Sequence, residues 1–223
     1  MKLIFGLVFL LLECTELLSA NGFRASADIH AGDAPAPDSI SATASTAGKS
    51  RLLPDRMSFV ERGLWGEDGF VRSAGLFPPL TAAERRDELK IRREMLTAHL
   101  VGGIVTFGLM ATAVYFGQRS IDHRQSGALF NDHQTFVTCT IISYSATGLL
   151  AILAPPPFLR RDETSSITIH KTLAWIHAAG MILTPLLAKG KHFTGVDTQL
   201  RIHQISAYAT TATFGASMAV LAF

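Results

Sequence analysis

Five histidines lie within or at the ends of long apolar stretches of the sequence: His99, His133, His170, His177 and His203. An ionisable side chain is costly inside a membrane, so its presence there is by default a sign of function. A neutral imidazole is also the commonest side-chain ligand for a metal ion. Whether these histidines can bind one ligand together depends on the position of each histidine along its predicted helix.

Four apolar segments carry or border these histidines, and each has about the length of a helix that crosses a bilayer. The segments are Met95–Phe116, Thr135–Ala154, Ile167–Ala188 and Ile202–Phe223. Within them, Lys171 is the only Lys, Arg, Asp or Glu. Short polar connections join the segments, which favours an up-down-up-down order. We expect an all-α integral membrane protein in which residues 95–223 form a four-helix transmembrane bundle.

The histidines of alternate helices are expected at matching depths in such a bundle. His99 lies about one turn inside the first helix and His177 two to three turns inside the third, so both approach one membrane face. His133 starts the second helix and His203 starts the fourth, so both approach the opposite face. We predict two pairs, His99 with His177 and His133 with His203. At 1.5 Å per residue, roughly 25 Å separate the two levels.

Two imidazoles that face each other across a plane provide the axial ligation that low-spin haem b requires. Small or soft side chains flank the first predicted pair and leave room for a flat ring. They are Gly102, Gly103, Thr106 and Met110 beside His99, and Ala174, Gly180, Met181 and Thr184 beside His177. We therefore predict one or two haem b groups. The four paired histidines are the metal ligands, and Gly103 and Gly180 lie against the ring.

His170 lies seven residues before His177 on the same helical face, nearer the surface. Two roles are open for it. His170 either replaces His177 as a ligand or, together with Lys171, binds a haem propionate or lines a redox-partner or quinone site. We expect this second role.

Each predicted ligand also has a simpler interpretation. His133 and His203 could lie in the headgroup layer, where polar residues cost little. His99 and His177 could form interhelical hydrogen bonds. Two further classes of protein therefore stay open: a non-redox structural or accessory subunit of a larger membrane complex, and a histidine-lined pathway for metal ions or protons.

The sequence around the histidines reads AHLVGG at 98–103, DHQ at 132–134, HKTLAWIHAAG at 170–180 and RIHQ at 201–204. With one histidine group on each of four apolar helices, residues 90–223 resemble the cytochrome b561 transmembrane domain. That resemblance implies two haem b groups. It also implies transmembrane electron transfer from a reductant such as ascorbate or quinol to an acceptor. The resemblance makes the chain a candidate transmembrane oxidoreductase subunit. We also expect the exported segment to dock a partner, such as a soluble cytochrome or a larger membrane complex.

The N-terminal part of the chain divides into three segments. Residues 1–20 have a basic start, an apolar core and a small-residue end, which is typical of a secretory signal peptide. Residues 21–58 are poor in large apolar side chains and are predicted to be a disordered linker. Residues 59–94 are expected to be partly structured before the membrane, with a capping box at Thr81 and Glu84 that opens a charged helix.

These features predict an exported N-terminal segment and a multi-pass protein of a plasma or inner membrane. The distribution of Lys and Arg favours the opposite orientation, because more of them flank the N-terminal side of the first span. The export signal acts first, so we expect it to prevail.

Composition and motifs exclude several other classes. A net charge of +2 over 223 residues is too small for a nucleic-acid-binding surface. The two cysteines, Cys14 and Cys139, form neither a disulfide framework nor a zinc cluster. No phosphate-binding loop, zinc-protease motif or nucleophile triad is present in the sequence.

Overall fold

The structure is a computed structural model that describes residues 52–123, 126–158, 166–189 and 196–222. All regular structure in these ranges is helical, with no strand. The all-α prediction is therefore confirmed for the described residues. The predicted signal peptide and most of the predicted linker lie outside the described ranges.

Two short helices precede the long ones: α1 (Phe59–Trp65) and α2 (Phe70–Ser73). A reciprocal capping box starts α1, in which Glu61 N donates to Ser58 Oγ at 3.2 Å and Ser58 N donates to Glu61 Oε2 at 2.8 Å. These bonds satisfy backbone donors that a helix start otherwise leaves free. After α2 the chain turns at Gly75, whose φ of +67° is accessible to glycine without strain.

Four long helices follow. They are α3 (Ala82–Asp122), α4 (Gly127–Ile152), α5 (Ser166–Lys189) and α6 (Val196–Ala222). Thr81 caps α3, because its Oγ1 accepts from Glu84 N at 3.2 Å. The charged run after this cap continues into the first apolar segment as one helix, since neither glycine nor proline interrupts the junction.

The structure corrects one expectation about helix starts. His133 and His203 each lie nearly two turns inside a helix rather than at its first residue, because α4 begins at Gly127 and α6 at Val196. For α4 the reason is the cap at Ser126, whose Oγ accepts from Leu129 N at 3.4 Å. This cap lets polar residues that resemble a turn, such as Asn131, continue the helix.

Three of the long helices, α3, α4 and α5, are long and apolar enough to cross a membrane. Large apolar side chains point outward from them, including Trp175 (78% exposed) and Ile182 (67%). Hydroxyls such as those of Thr106 and Ser143 are fully buried instead. This inside-out distribution is the one expected for helices surrounded by lipid. Within its described residues, helix α6 does not meet the same criterion. Its sequence includes several Ser and Thr residues.

The long helices pack as two antiparallel hairpins, α3 with α4 and α5 with α6, which meet mainly through α3 and α6. Within the first hairpin Gly102 allows close approach, because a Cβ there would lie 2.5 Å from Thr147 Oγ1. Between the hairpins, Phe107 of α3 stacks on Phe214 of α6 with centroids 6.3 Å apart.

The short helices cover one end of the α3/α4 hairpin. Trp65 Nε1 donates to the carbonyl of Leu153 at 3.0 Å. Nearby, the buried carboxylate of Glu88 forms ion pairs with Arg72 and Arg85. The second of these arginines also donates to the carbonyl of Pro156 at 2.6 Å, which ties α3 to the segment after α4.

Candidate functional site

The structure brings four of the five histidines within the long helices together in two pairs. The ring centroids of His99 and His170 lie 6.1 Å apart, and their planes are nearly perpendicular at 87°. Those of His133 and His203 lie 6.4 Å apart at 88°. Each pair takes one histidine from each hairpin, so both pairs bridge the space between the hairpins.

All four rings are held in the same way by a neighbouring backbone. The Nδ1 atoms of His99 and His133 lie 2.9 Å from the carbonyl oxygens of Thr147 and Ala113, respectively. In the other hairpin, His170 Nδ1 lies 2.8 Å from Ser217 O, and His203 Nδ1 lies 2.9 Å from Thr184 O.

These contacts determine the tautomer of each neutral ring. A carbonyl oxygen can only accept, so Nδ1 must carry the proton and donate it. The lone pair then lies on Nε2, which makes no hydrogen bond within the described residues. A ring whose Nδ1–H donates to a backbone carbonyl is oriented for metal binding through the other nitrogen.

The same register recurs in every long helix. Each carbonyl that accepts from a histidine lies fourteen residues after another histidine: His99 to Ala113, His133 to Thr147, His170 to Thr184 and His203 to Ser217. Fourteen residues span roughly 21 Å of helix, somewhat less than the separation expected from the sequence. The two hairpins therefore have the same arrangement of histidines and accepting carbonyls. Each pair joins two histidines that occupy the same position in their respective hairpins.

His177 lies apart from the two pairs, although the sequence suggested it as the partner of His99. Its Nδ1 lies 3.0 Å from the hydroxyl oxygen of Tyr144, and its ring centroid lies 4.8 Å from that of Phe214. His177 is seven residues beyond His170 on α5, roughly 10 Å deeper along the helix. The structure thus places His170, not His177, opposite His99.

The glycines and the lysine named from the sequence lie in different surroundings. Gly103 is buried one turn after His99, yet a Cβ added there would meet no atom within 4 Å. It therefore borders open space inside the molecule. At Gly180 a Cβ would collide with Thr210 of α6, so that glycine serves helix packing. Lys171 follows His170 and is exposed.

The spacing of the pairs fits a metal held between two imidazoles. An imidazole nitrogen lies about 2 Å from the metal it binds. Two such bonds in line, plus the distance from each nitrogen to its own ring centroid, separate the two centroids by roughly 6 Å. The centroid distances of 6.1 and 6.4 Å match this value. Perpendicular rings are compatible with it, because each ring can rotate about its own metal–nitrogen bond. Within the described ranges no three His, Cys, Asp or Glu side chains converge on one point.

Comparisons with protein-family models, with curated proteins and with solved structures found no match. The resemblance to cytochrome b561 inferred from the sequence therefore stays a prediction.

Sequence reasoning missed two features of the site. Gly117 allows His133 to approach α3, since a Cβ at this glycine would lie 2.9 Å from the Nδ1 atom of the histidine. Tyr144 forms the contact with His177 in the middle of the molecule. A tyrosine and a glycine inside apolar helices are weak signals, and only the helix register reveals that they lie beside histidines.

Proposed function

We propose that the protein is a membrane-embedded b-type cytochrome that carries electrons across or within the bilayer through two bis-histidine haem groups. His99 and His170 would hold one group, and His133 and His203 the other. The four long helices would cross the membrane as an up-down-up-down bundle. One observation carries the proposal: four imidazoles are paired across the hairpins at the spacing of axial ligation, and the Nδ1–H of each donates to a backbone carbonyl.

Within this proposal we assign the ligand role to His170, although the sequence favoured His177 and left His170 as its possible replacement. His170 shares with the other three histidines the hydrogen bond from Nδ1 to a backbone carbonyl. His177 instead uses Nδ1 in a contact with a tyrosine side chain. The uniform backbone contact supports four equivalent ligands.

The chain's contribution to such sites is to orient the ligands and to exclude water. When bound, haem supplies reversible one-electron chemistry at its iron. Carbonyls at Ala113, Thr147, Thr184 and Ser217 fix the rings and leave each Nε2 unprotonated. The open space at Gly103 leaves room beside His99 for a wide planar group.

Buried hydroxyls close the interior between the two levels. Thr106 Oγ1 donates to the carbonyl of Gly102 at 2.7 Å, so it accepts from Ser143 Oγ, which lies 2.7 Å away. These side chains satisfy one another and need no water. This part of the hairpin interior is therefore closed by side-chain contacts between α3 and α4.

The remaining predictions complete the proposal. The electron donor would be a quinol or an ascorbate-like reductant, and the acceptor a cytochrome or a larger membrane complex. The membrane would be a plasma or inner membrane, with the N-terminal segment exported. A non-redox accessory subunit is the second candidate, since the carbonyl contacts alone already give every paired histidine one hydrogen bond.

A difference spectrum tests the proposal directly. The full chain, purified in lipid nanodiscs, should show a reduced-minus-oxidised spectrum of b type and bind about two haem groups per chain. His99→Ala should lower the haem content, whereas His123→Ala, which alters an exposed histidine at the end of α3, should not. A colourless protein with full helical content that cannot be reconstituted with haem would favour the accessory subunit.

A further inference from the structure

Three large apolar side chains around the two short helices face outward. Phe59 at the start of α1 is 92% exposed, Phe70 at the start of α2 is 60% exposed, and Leu76 just after α2 is 66% exposed. A single exposed apolar side chain is common on any protein surface. Three within residues 59–76 are a concentration of the kind that marks contact with a protein or a membrane.

The segment that carries them, residues 59–80, is attached firmly to the α3/α4 hairpin. Trp65 is 5% exposed, packs edge-on against Phe77 with ring centroids 5.0 Å apart, and donates from Nε1 to the carbonyl of Leu153 at 3.0 Å. The guanidinium of Arg72 forms an ion pair with the buried carboxylate of Glu88 on α3. The exposed side chains therefore belong to a folded segment whose position on the hairpin is fixed.

These contacts place the segment where the charged part of the hairpin meets the apolar part. On α3 the charged run ends at Glu94. Arg92 Nη1 donates to the carbonyl of Pro155 at 2.6 Å, so the last charged turn of α3 lies level with the residues that follow α4. Trp65 reaches the same level through its bond to Leu153. If α3 and α4 cross a bilayer, this level is the membrane–water interface, where Trp is enriched.

The second attachment point also lies within the depth of the interface. Glu88, which binds Arg72, precedes Arg92 by four residues, or roughly 6 Å along α3 on the side away from the apolar stretch. The headgroup layer on each side of a bilayer is roughly 5–8 Å thick. Both contacts thus hold the segment beside the headgroups rather than far out in water.

The nearby charges indicate how such a segment would bind lipid. Residues 53–94 contain eight Lys and Arg and eight Asp and Glu. They carry no net charge that would attract anionic headgroups. Burial of apolar side chains in the interface is therefore the main source of affinity.

We propose that residues 59–80 lie in the headgroup layer of the membrane that α3 and α4 cross, and that Phe59, Phe70 and Leu76 insert among the acyl chains of its phospholipids. The partner is lipid rather than a second protein, because the contacts at Leu153 and Glu88 hold the segment at the depth of the headgroups. The inference rests on the membrane position of α3 and α4 in the proposed function, and not on the haem groups.

A fluorescent probe at residue 59 tests this depth. The full chain carrying Cys14→Ser and Cys139→Ser is labelled with nitrobenzoxadiazole at one new cysteine and reconstituted in phosphatidylcholine vesicles. On Phe59→Cys the label should emit at shorter wavelength than in water, and lipids brominated roughly 5–10 Å below the headgroups should quench it. On Asp68→Cys, an exposed position in the turn between α1 and α2, it should emit as in water and be quenched by iodide instead.

A probe on α3 separates this proposal from the proposed function. Ile104 is 50% exposed, and a label on Ile104→Cys should be quenched by bromine deep in the bilayer. If it is, and the label on Phe59→Cys is not quenched, the interfacial position of residues 59–80 is wrong while α3 still crosses the membrane. If neither label is quenched, the membrane position of α3 is wrong as well.

Two further measurements identify the source of the shielding. Phe70→Asp combined with Leu76→Asp should return the label at residue 59 to water-like emission, whereas Ser73→Asp, at an exposed position on α2, should not. Quenching should be the same with and without anionic phospholipid in the vesicles. Quenching that requires anionic lipid would overturn apolar insertion, and shielding that appears only after a membrane extract is added would indicate a protein partner instead.

Discussion

His170 faces His99 across the gap between the hairpins, with ring centroids 6.1 Å apart. The Nδ1 atoms of these two histidines are held by carbonyls of their own hairpins, at Ser217 and Thr147. Neither ring therefore depends on the other hairpin for its orientation. Each hairpin thus orients its own member of the pair.

The choice between His170 and His177 gives the first prediction. His170→Ala should reduce the haem content from about two groups per chain to about one, because one axial ligand is lost. His177→Ala should leave the content near two. Pyridine haemochrome assays on purified protein measure both variants. If His177→Ala lost haem and His170→Ala did not, His177 would be the ligand instead of His170.

The space at Gly103 gives the second prediction. Gly103→Leu should displace the cofactor of the His99 pair, because the new side chain enters the interior beside that histidine. Gly108→Leu is the matched control, since a Cβ there also meets no atom within 4 Å but the residue is exposed. The haem content and the difference spectrum of the two variants should differ. Equal spectra would mean that Gly103 does not border a cofactor.

The contact at Gly117 gives the third prediction. In Gly117→Ala the new Cβ would lie 2.9 Å from His133 Nδ1, so the ring must shift away from the carbonyl that orients it. Loss of such an orienting bond lowers metal affinity about 10- to 100-fold. Gly148→Ala should have no effect, because that site is open. Haem titration into the apoprotein distinguishes the two variants.

The buried carboxylate of Glu88 gives the fourth prediction. Glu88→Ala removes the buried carboxylate that forms ion pairs with Arg72 and Arg85, which should lower the free energy of unfolding by about 3–5 kcal/mol. Asp87→Ala breaks only the exposed 2.8 Å pair with Lys90 and should cost less than about 1 kcal/mol. Far-UV circular dichroism during denaturation, with amide exchange in residues 59–80, measures both effects.

The presence of long apolar helices was predictable because it depends on where apolar residues cluster along the chain. Apolar stretches of the right length predict helices that can span a membrane, and three of them satisfy that criterion in the structure. The fourth predicted span overlaps α6, which does not satisfy the criterion within the described residues. The N-cap residue Thr81 was also predictable from the sequence. As expected, its Oγ1 accepts a hydrogen bond from the backbone amide of Glu84.

The partner of His99 was not predictable in the same way. His170 and His177 are seven residues apart and lie on nearly the same face of α5, so helical periodicity cannot separate them. What separates them is the axial register of α5 against α6, which is visible in the contact between His170 and Ser217. Register depends on packing between helices, and a single sequence carries little information about it.

Because each histidine pair takes one member from each hairpin, neither pair can form until both hairpins have been synthesised. The α3/α4 hairpin leaves the ribosome first with two unmatched imidazoles, His99 and His133. Neither proposed centre exists until α5 and α6 have been inserted beside it. Cofactor acquisition would therefore be a late step in biogenesis, and a chain that ends after α4 would have no complete centre to fill.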